Sequence, residues 1–182
     1  MSKPKNERLI LLGKAGSGKT YIERKLIQKG LIQCLKWTTR PPRKFEQQGI
    51  TYNFVADSLF KEKIDNNELL CYQTFNVTPE GRDPETWYYG ITKEEFERAQ
   101  VFIMTPGEFE NINSEVRKGC FVVYLDIDRI IREYRLFKRR DMNDSIVRRL
   151  DADEEDFKDF KDYDLKITDP EFTADDVYDL MD

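Results

Sequence analysis

Residues 8–20 read RLILLGKAGSGKT, and within them Gly13, Gly18, Lys19 and Thr20 stand at the spacing G-x-x-x-x-G-K-T. Each residue type has a chemical use. Glycines let successive backbone N–H groups turn inward around an anion, because no Cβ blocks the approach. A helix beginning at the same place adds its positive end. A lysine can neutralise the outer phosphates of a nucleoside triphosphate, and the hydroxyl after it can ligate Mg²⁺. The pattern counts only between a strand and a helix. Leu9, Ile10, Leu11 and Leu12 supply an apolar strand before it, and Ile22, Leu26 and Ile27 supply a helical stripe after it. Gly13, Lys14, Ala15, Gly16, Ser17, Gly18, Lys19 and Thr20 therefore form the expected ATP-binding loop. Lys19 is the catalytic cation and Thr20 the metal ligand. The plainer alternative, a glycine-rich strand–helix turn, leaves the lysine and hydroxyl unexplained.

A second cluster of charge lies in Thr38-Thr39-Arg40-Pro41-Pro42-Arg43. Two prolines exclude a helix or a central strand here and hold two arginines at fixed separation. A third lies further on. Residues 129–149 carry eight basic and three acidic residues, whereas residues 151–182 carry fourteen acidic and three basic. With a net charge of −5, the basic segment reads as a local anion site and the acidic one as a solvated face. Arg132, Arg135 and Arg139 share one helical stripe; Ile130, Ile131, Tyr134 and Phe137 form the apolar stripe expected to face the core.

The elements that must position these groups alternate at both ends of the chain. A strand is expected over residues 32–38, a short one over 51–55, and another over 69–77. A helix over 57–66 is expected, with Asp57 as its N-cap and Leu59, Phe60 and Ile64 as the buried side. Residues 78–85 read as a turn-rich loop. Thr92 and Glu95 make a capping box, and Thr105, Pro106 and Glu108 mark another helix start. Apolar strands at 101–104 and 120–125 follow, then helices from Asp128 and over 144–160, a strand at 165–168 and a helix at 173–180. The fold class is α/β: a three-layer parallel sheet of the P-loop type with a strand-rich acceptor-binding insert and a helical lid. All 182 residues read as one domain, with a core at 6–39 and 92–182, an insert at about 40–91 and a lid at about 135–149.

Composition sets limits. No apolar run reaches the 18 or so residues of a membrane span, and the N-terminus lacks the apolar segment of a secretory signal. No histidine is present, and Cys34, Cys71 and Cys120 lack metal-ligand spacing. A cytoplasmic protein with reduced thiols is expected.

Arg40, Arg43, Glu46, Gly49 and Tyr52-Asn53-Phe54-Val55, joined to the phosphate loop, resemble the guanylate kinase family. There T-T-R-x-P-R-x-x-E-x-x-G-x-x-Y-x-F-V opens the monophosphate-binding region. Asn66-Asn67-Glu68 and Tyr88-Tyr89-Gly90 are similar to further landmarks. The resemblance implies that Arg40, Arg43, Tyr52 and Tyr89 hold the acceptor phosphate, and that Arg135, Arg139 and Arg149 are catalytic lid arginines. It also marks departures. Cys71 stands where the family carries a base-reading Glu, Lys36 where it carries a Ser, and Met104-Thr105-Pro106-Gly107 where it carries D-x-Q-G. Cys71 and Tyr89 are 18 positions apart, a longer gap than the family's. Lys36 and Cys71 thus mark an altered base site.

The function implied is Mg²⁺- and ATP-dependent phosphoryl transfer to a nucleoside monophosphate: GMP, dGMP, or another, including modified, deoxynucleotide. Alternatives are a sugar-phosphate kinase, a DNA-base kinase, or a non-catalytic binding module. The acidic charge disfavours nucleic acid, no membrane partner is implied, and the sequence leaves oligomeric state open.

Overall fold

The structure, a computed structural model, describes residues 8–43, 45–78, 83–138 and 146–180. In chain order the elements are β1 (Arg8–Gly13), α1 (Lys19–Gln28), β2 (Trp37–Thr38), β3 (Asn53–Phe54), α2 (Asp57–Asp65) and β4 (Leu69–Val77). Then come β5 (Glu85–Thr92), α3 (Lys93–Arg98), β6 (Val101–Ile103), α4 (Pro106–Glu110), α5 (Ser114–Lys118) and β7 (Cys120–Leu125). Last are α6 (Arg129–Lys138), α7 (Ile146–Asp156), β8 (Leu165–Ile167) and α8 (Ala174–Leu180). No helix among the described residues is long and apolar enough to cross a membrane.

The chain divides into two compact units. The first holds residues 1–33, 100–106 and 113–182 and is built on a parallel sheet in the order β6-β1-β7-β8. Leu9, Ile10, Leu11 and Leu12 are fully buried, as are Val122 and Val123. Continuous apolar runs of this kind suit central parallel strands, which are covered on both faces. In register, Gly13 stands beside Leu125, so the loop after β1 opens at the carboxyl end of the sheet. Ligands of open α/β sheets bind at that end. On one face, Ile22 and Leu26 of α1 pack with Leu9, Leu11, Val123 and Val177.

The second unit holds residues 34–99 and 107–112 on a mixed sheet in the order β3-β2-β5-β4. Here β4 and β5 form a long antiparallel pair, with Gln73 opposite Tyr89 and Cys71 opposite Ile91. The Thr92 hydroxyl accepts from Glu95 N at 3.1 Å, as the capping box requires. The Glu95 carboxylate serves elsewhere, accepting from Leu35 N at 2.6 Å and from Arg98.

Three local expectations change. The strand expected over residues 32–38 shortens to β2, and that over 51–55 to β3. Helix α2 begins after Ala56, which offers no side-chain cap, so Asp57 is its first residue. Its register leaves Leu59 40% exposed while Phe60 is fully buried, its ring beside Tyr72 and Tyr88. Helix α6 is turned about its axis. Ile130, Tyr134 and Phe137, expected inside, are 77%, 57% and 74% exposed, whereas Arg132 and Leu136 are each 1% exposed. The reason is polar: Arg132 Nε donates to Ile127 O at 2.9 Å, and its Nη2 pairs with Glu154. Those bonds set the rotation that an apolar stripe alone would have set differently.

The α2 register carries a test. Phe60→Ala should cost about 3–5 kcal/mol and lower the melting temperature, whereas Leu59→Ala should stay within about 1 kcal/mol of the unaltered protein. Equal losses in urea unfolding would contradict this packing.

Candidate active site

In the first unit the loop between β1 and α1 is shaped by two left-handed glycines, Gly16 at φ +79 and Gly18 at φ +110. A Cβ at Gly16 would sit 2.7 Å from the Arg132 carbonyl oxygen, so sterics and backbone both require glycine there. Ser17 N donates to Lys14 O at 3.1 Å and closes the turn. The Ser17 hydroxyl is the one buried side-chain oxygen or nitrogen among the described residues that lacks a hydrogen-bond partner. An unpaired buried hydroxyl is costly, and a phosphate oxygen is the partner this loop geometry offers. Gly18, the residue before α1, carries no side chain that could cap that helix end.

Lys19 folds back over the loop, donating to the carbonyl oxygens of Gly13 and, at 3.1 Å, Lys14. Thr20 follows it in the first turn of α1. Arg135 Nη1 reaches the carbonyl oxygens of Gly16 and Ser17 at 3.3 and 3.2 Å, and its Nη2 donates to Pro170 O at 2.9 Å. Arg135 therefore lies against the loop. Arg149 is half-buried on α7. Arg139 lies outside the described residues, as does much of the segment read as a lid.

Two acids to which the sequence reading gave no role, Asp153 and Glu154 of α7, reach this loop. Lys14 and Arg132 both pair with Glu154. Ala15 N donates to Asp153 Oδ2 at 2.6 Å. Acids of α7 thus occupy donors of the phosphate loop, as anions would. Burial raises the Glu154 carboxyl pKa, but Lys14 and Arg132 outweigh it and hold the group below its ordinary range. Asp126, at the end of β7, accepts from Tyr124 and pairs with Lys166 at 2.7 Å.

In the second unit the proline-stiffened loop positions Arg40, which is 4% exposed. Its Nη1 and Nη2 grip both Glu46 oxygens at 2.9 Å, and Nε donates to Tyr89 Oη at 2.9 Å. Such a two-point grip suits a planar guanidinium. The same Glu46 accepts from Arg43 N at 2.7 Å. Arg43 itself is exposed. Tyr52 packs edge-on to Tyr89 with ring centroids 6.2 Å apart, and the Arg40 guanidinium lies 5.5 Å from the Tyr52 ring centre. Glu46 thus ties both arginines of the loop together. Burial raises its carboxyl pKa, but Arg40 and the Arg43 amide more than offset this, leaving it lowered.

Lys36 also meets a residue read from sequence only as a helix-start acid. Lys36 Nζ donates to Glu108 Oε2 at 2.6 Å, with the Glu108 side chain 2% and the Lys36 side chain 14% exposed. Burial works against the ammonium, yet the Glu108 charge leaves the Lys36 pKa raised. Cys71 is buried on β4, and burial, then the Glu108 charge, pushes its thiol up to about 12. It is a neutral thiol at physiological pH.

A parallel sheet whose first strand delivers a glycine-shaped, lysine-bearing loop to its carboxyl end defines a P-loop nucleotide-binding protein. The guanylate kinase family model matches residues 5–179. Guanylate kinase of Nostoc sp. is 28% identical over 175 residues, covering 91% of this chain and 83% of that protein. Guanylate kinase of Helicobacter pylori is 28% identical over 151 residues, covering 78% and 69%. The crystal structure of guanylate kinase from Anaplasma phagocytophilum superposes with a TM-score of 0.67 at 20% identity, covering 99% of this chain and 87% of that one. The chain belongs to the guanylate kinase family, and its class is that of the nucleoside monophosphate kinases.

The lowered Glu46 pKa gives a signed pH dependence. The Arg40–Glu46 grip stabilises fully above the unfolded carboxylate pKa of about 4 and is lost as pH falls through the lower folded value. Urea midpoints of the unaltered protein should therefore fall as pH drops below about 4, and Glu46→Gln should flatten that part of the curve. An identical acid slope in the variant would contradict the assigned grip.

Proposed function

We propose that this chain transfers the γ-phosphate of ATP to a guanine nucleoside monophosphate, GMP or dGMP, with Mg²⁺. The observation that carries the reading is the phosphate loop. Its two left-handed glycines, its unpartnered Ser17 hydroxyl and its inward Lys19 form a nest of the kind that holds polyphosphate. Family membership and the curated relatives' names support the acceptor.

Phosphoryl transfer asks little covalent chemistry of the protein and much positioning and charge neutralisation. Residues 13–20 hold the ATP phosphates, with phosphate oxygens taking the Ala15 N–H from Asp153. Lys19 exchanges loop carbonyls for the outer phosphates. Arg135 stands against the Gly16 and Ser17 carbonyls, where a second cation can neutralise the transferring group. Arg139 and Arg149 are proposed to add to that charge. In the second unit, Arg43, Tyr52 and Tyr89 hold the acceptor phosphate, and Arg40 orients Tyr89 while contributing its own charge. Mg²⁺ is a hard cation that takes oxygen ligands, and the hydroxyl of Thr20 is the protein oxygen proposed for it. Among the described residues no group of three His, Cys, Asp or Glu could hold a metal, so Thr20, water and the phosphates are the ligands proposed. When bound with ATP, the ion neutralises the β- and γ-phosphate oxygens.

The test is coupled measurement of ADP release from Mg-ATP against each common nucleoside monophosphate. GMP or dGMP should give stoichiometric ADP and nucleoside diphosphate. Absence of turnover with every acceptor would defeat the proposal. Lys19→Ala should lower kcat by about 10²–10³-fold or more, the scale for loss of one preorganised charge-stabilising group, and near-unaltered turnover would remove Lys19 from its role. Arg43→Ala should raise the acceptor KM while leaving that for ATP nearly unchanged.

A further inference from the structure

Helix α7 brings two adjacent acids to the phosphate loop, and they hold it in different ways. Glu154 pairs with Lys14 and with Arg132. Arg132 is almost wholly buried, and removing one partner of a buried ion pair is strongly destabilising, so this bond is a fixed one. Arg132 Nη1 also reaches Ala15 O at 3.5 Å. A second pair, Arg129 with Asp151 at 2.7 Å, joins the same two helices. Together these bonds set α7 against α6 and the loop. Asp153 is thereby carried to a defined place, where its Oδ2 accepts from Ala15 N at 2.6 Å.

That last bond uses a donor of the loop itself. Ala15 lies between Gly13 and Gly16, and its N–H is one of the backbone groups that such a loop turns toward phosphate. A carboxylate oxygen satisfies an N–H by the same charge-assisted bond that a phosphate oxygen makes. Two anions cannot share this donor without repelling one another. Tethering strengthens the acid's claim. A carboxylate on an anchored helix acts at a far higher effective concentration than a free anion of equal intrinsic affinity. Yet its withdrawal needs only the rotation of one short, half-buried side chain, while the Arg132–Glu154 pair stays in place.

We propose that Asp153 is a built-in competitor of the nucleotide, an autoinhibitory contact in which the α7 carboxylate holds the Ala15 N–H until a polyphosphate displaces it. This rests on the phosphate-loop reading above and names what limits nucleotide affinity there. The apparent dissociation constant is the intrinsic one divided by the fraction of loops from which the acid has withdrawn. Removing the acid therefore tightens binding, the reverse of what removing a loop-supporting residue does.

The test is calorimetric titration of a non-hydrolysable ATP analogue with Mg²⁺ into the unaltered protein, Asp153→Ala, Asp153→Asn and Glu155→Gln. Glu155 stands on the same helix, 79% exposed, and pairs with Lys158 at 3.7 Å, so its variant removes an equal charge without a bond to the loop. Asp153→Ala should bind the analogue about tenfold more tightly, the scale of one hydrogen bond to a charged group. Asp153→Asn, whose amide oxygen is a neutral and weaker acceptor, should fall between that variant and the unaltered protein. Glu155→Gln should stay within about twofold of the unaltered protein, since an exposed charge is screened. If Asp153→Ala fails to fold, Asp153→Asn decides, because it keeps the side-chain volume. Equal or weaker binding by the Asp153 variants makes the contact a brace of the loop and overturns the inference. Equal tightening by Glu155→Gln assigns the effect to overall charge and overturns it too. In both cases the nucleotide reading survives, whereas no binding by any of the four proteins defeats that reading and this inference together.

Discussion

Backbone N–H groups turned toward a common point are the constraint on which the first unit depends. They can be held only by a chain that tolerates left-handed geometry under a close neighbour. Gly16 meets both demands, with φ +79 and the Arg132 carbonyl where a side chain would begin. The rest of the unit fixes that loop from outside. The buried β1 delivers it, Arg135 ties its carbonyls to Pro170, and Arg132 with Lys14 anchors it to Glu154. Carboxylates of α7 sit on the loop donors, and Lys14 and Arg132 hold the Glu154 carboxyl below its ordinary range.

The second unit uses another device for the same purpose. A buried guanidinium gripped at both oxygens of Glu46 sets the position of the Tyr89 hydroxyl and, through the Arg43 amide, the course of the proline loop. Arginine performs this better than lysine because its planar fork bonds several partners at once. Arg40 thus serves structure and charge together, leaving the exposed Arg43 as the adaptable hand in the proposed phosphate grip.

Much of this could be read from residue types. The loop declares itself because its chemistry is local: strand, glycines, lysine and helix follow one another without interruption. Thr92 and Glu95 likewise announce a helix start, and that cap forms. What sequence conceals is set by distant partners. The rotation of α6 follows from Arg132 bonding Ile127 and Glu154, so the apolar stripe of Ile130, Tyr134 and Phe137 turns outward. Glu108 fits a capping pattern, and only the fold brings Lys36 to it. Leu59 and Phe60 are adjacent apolar residues, and packing against Tyr72 and Tyr88 decides which is buried. The base-site difference at Cys71 is legible in the sequence, but the burial that raises its thiol pKa is set by the fold.

The account rests on the loop's capacity to take a nucleotide's phosphates in place of its own acids. Calorimetric titration of the unaltered protein with Mg-ADP, repeated with Gly16→Ala, tests this most directly. The unaltered chain should bind one ADP with release of the Asp153 contact, raising its melting temperature, while the variant, with its loop forced off the Arg132 carbonyl, should bind far more weakly. Absence of binding heat and of any thermal shift in the unaltered protein, or equal ADP affinity in the two, would contradict the account.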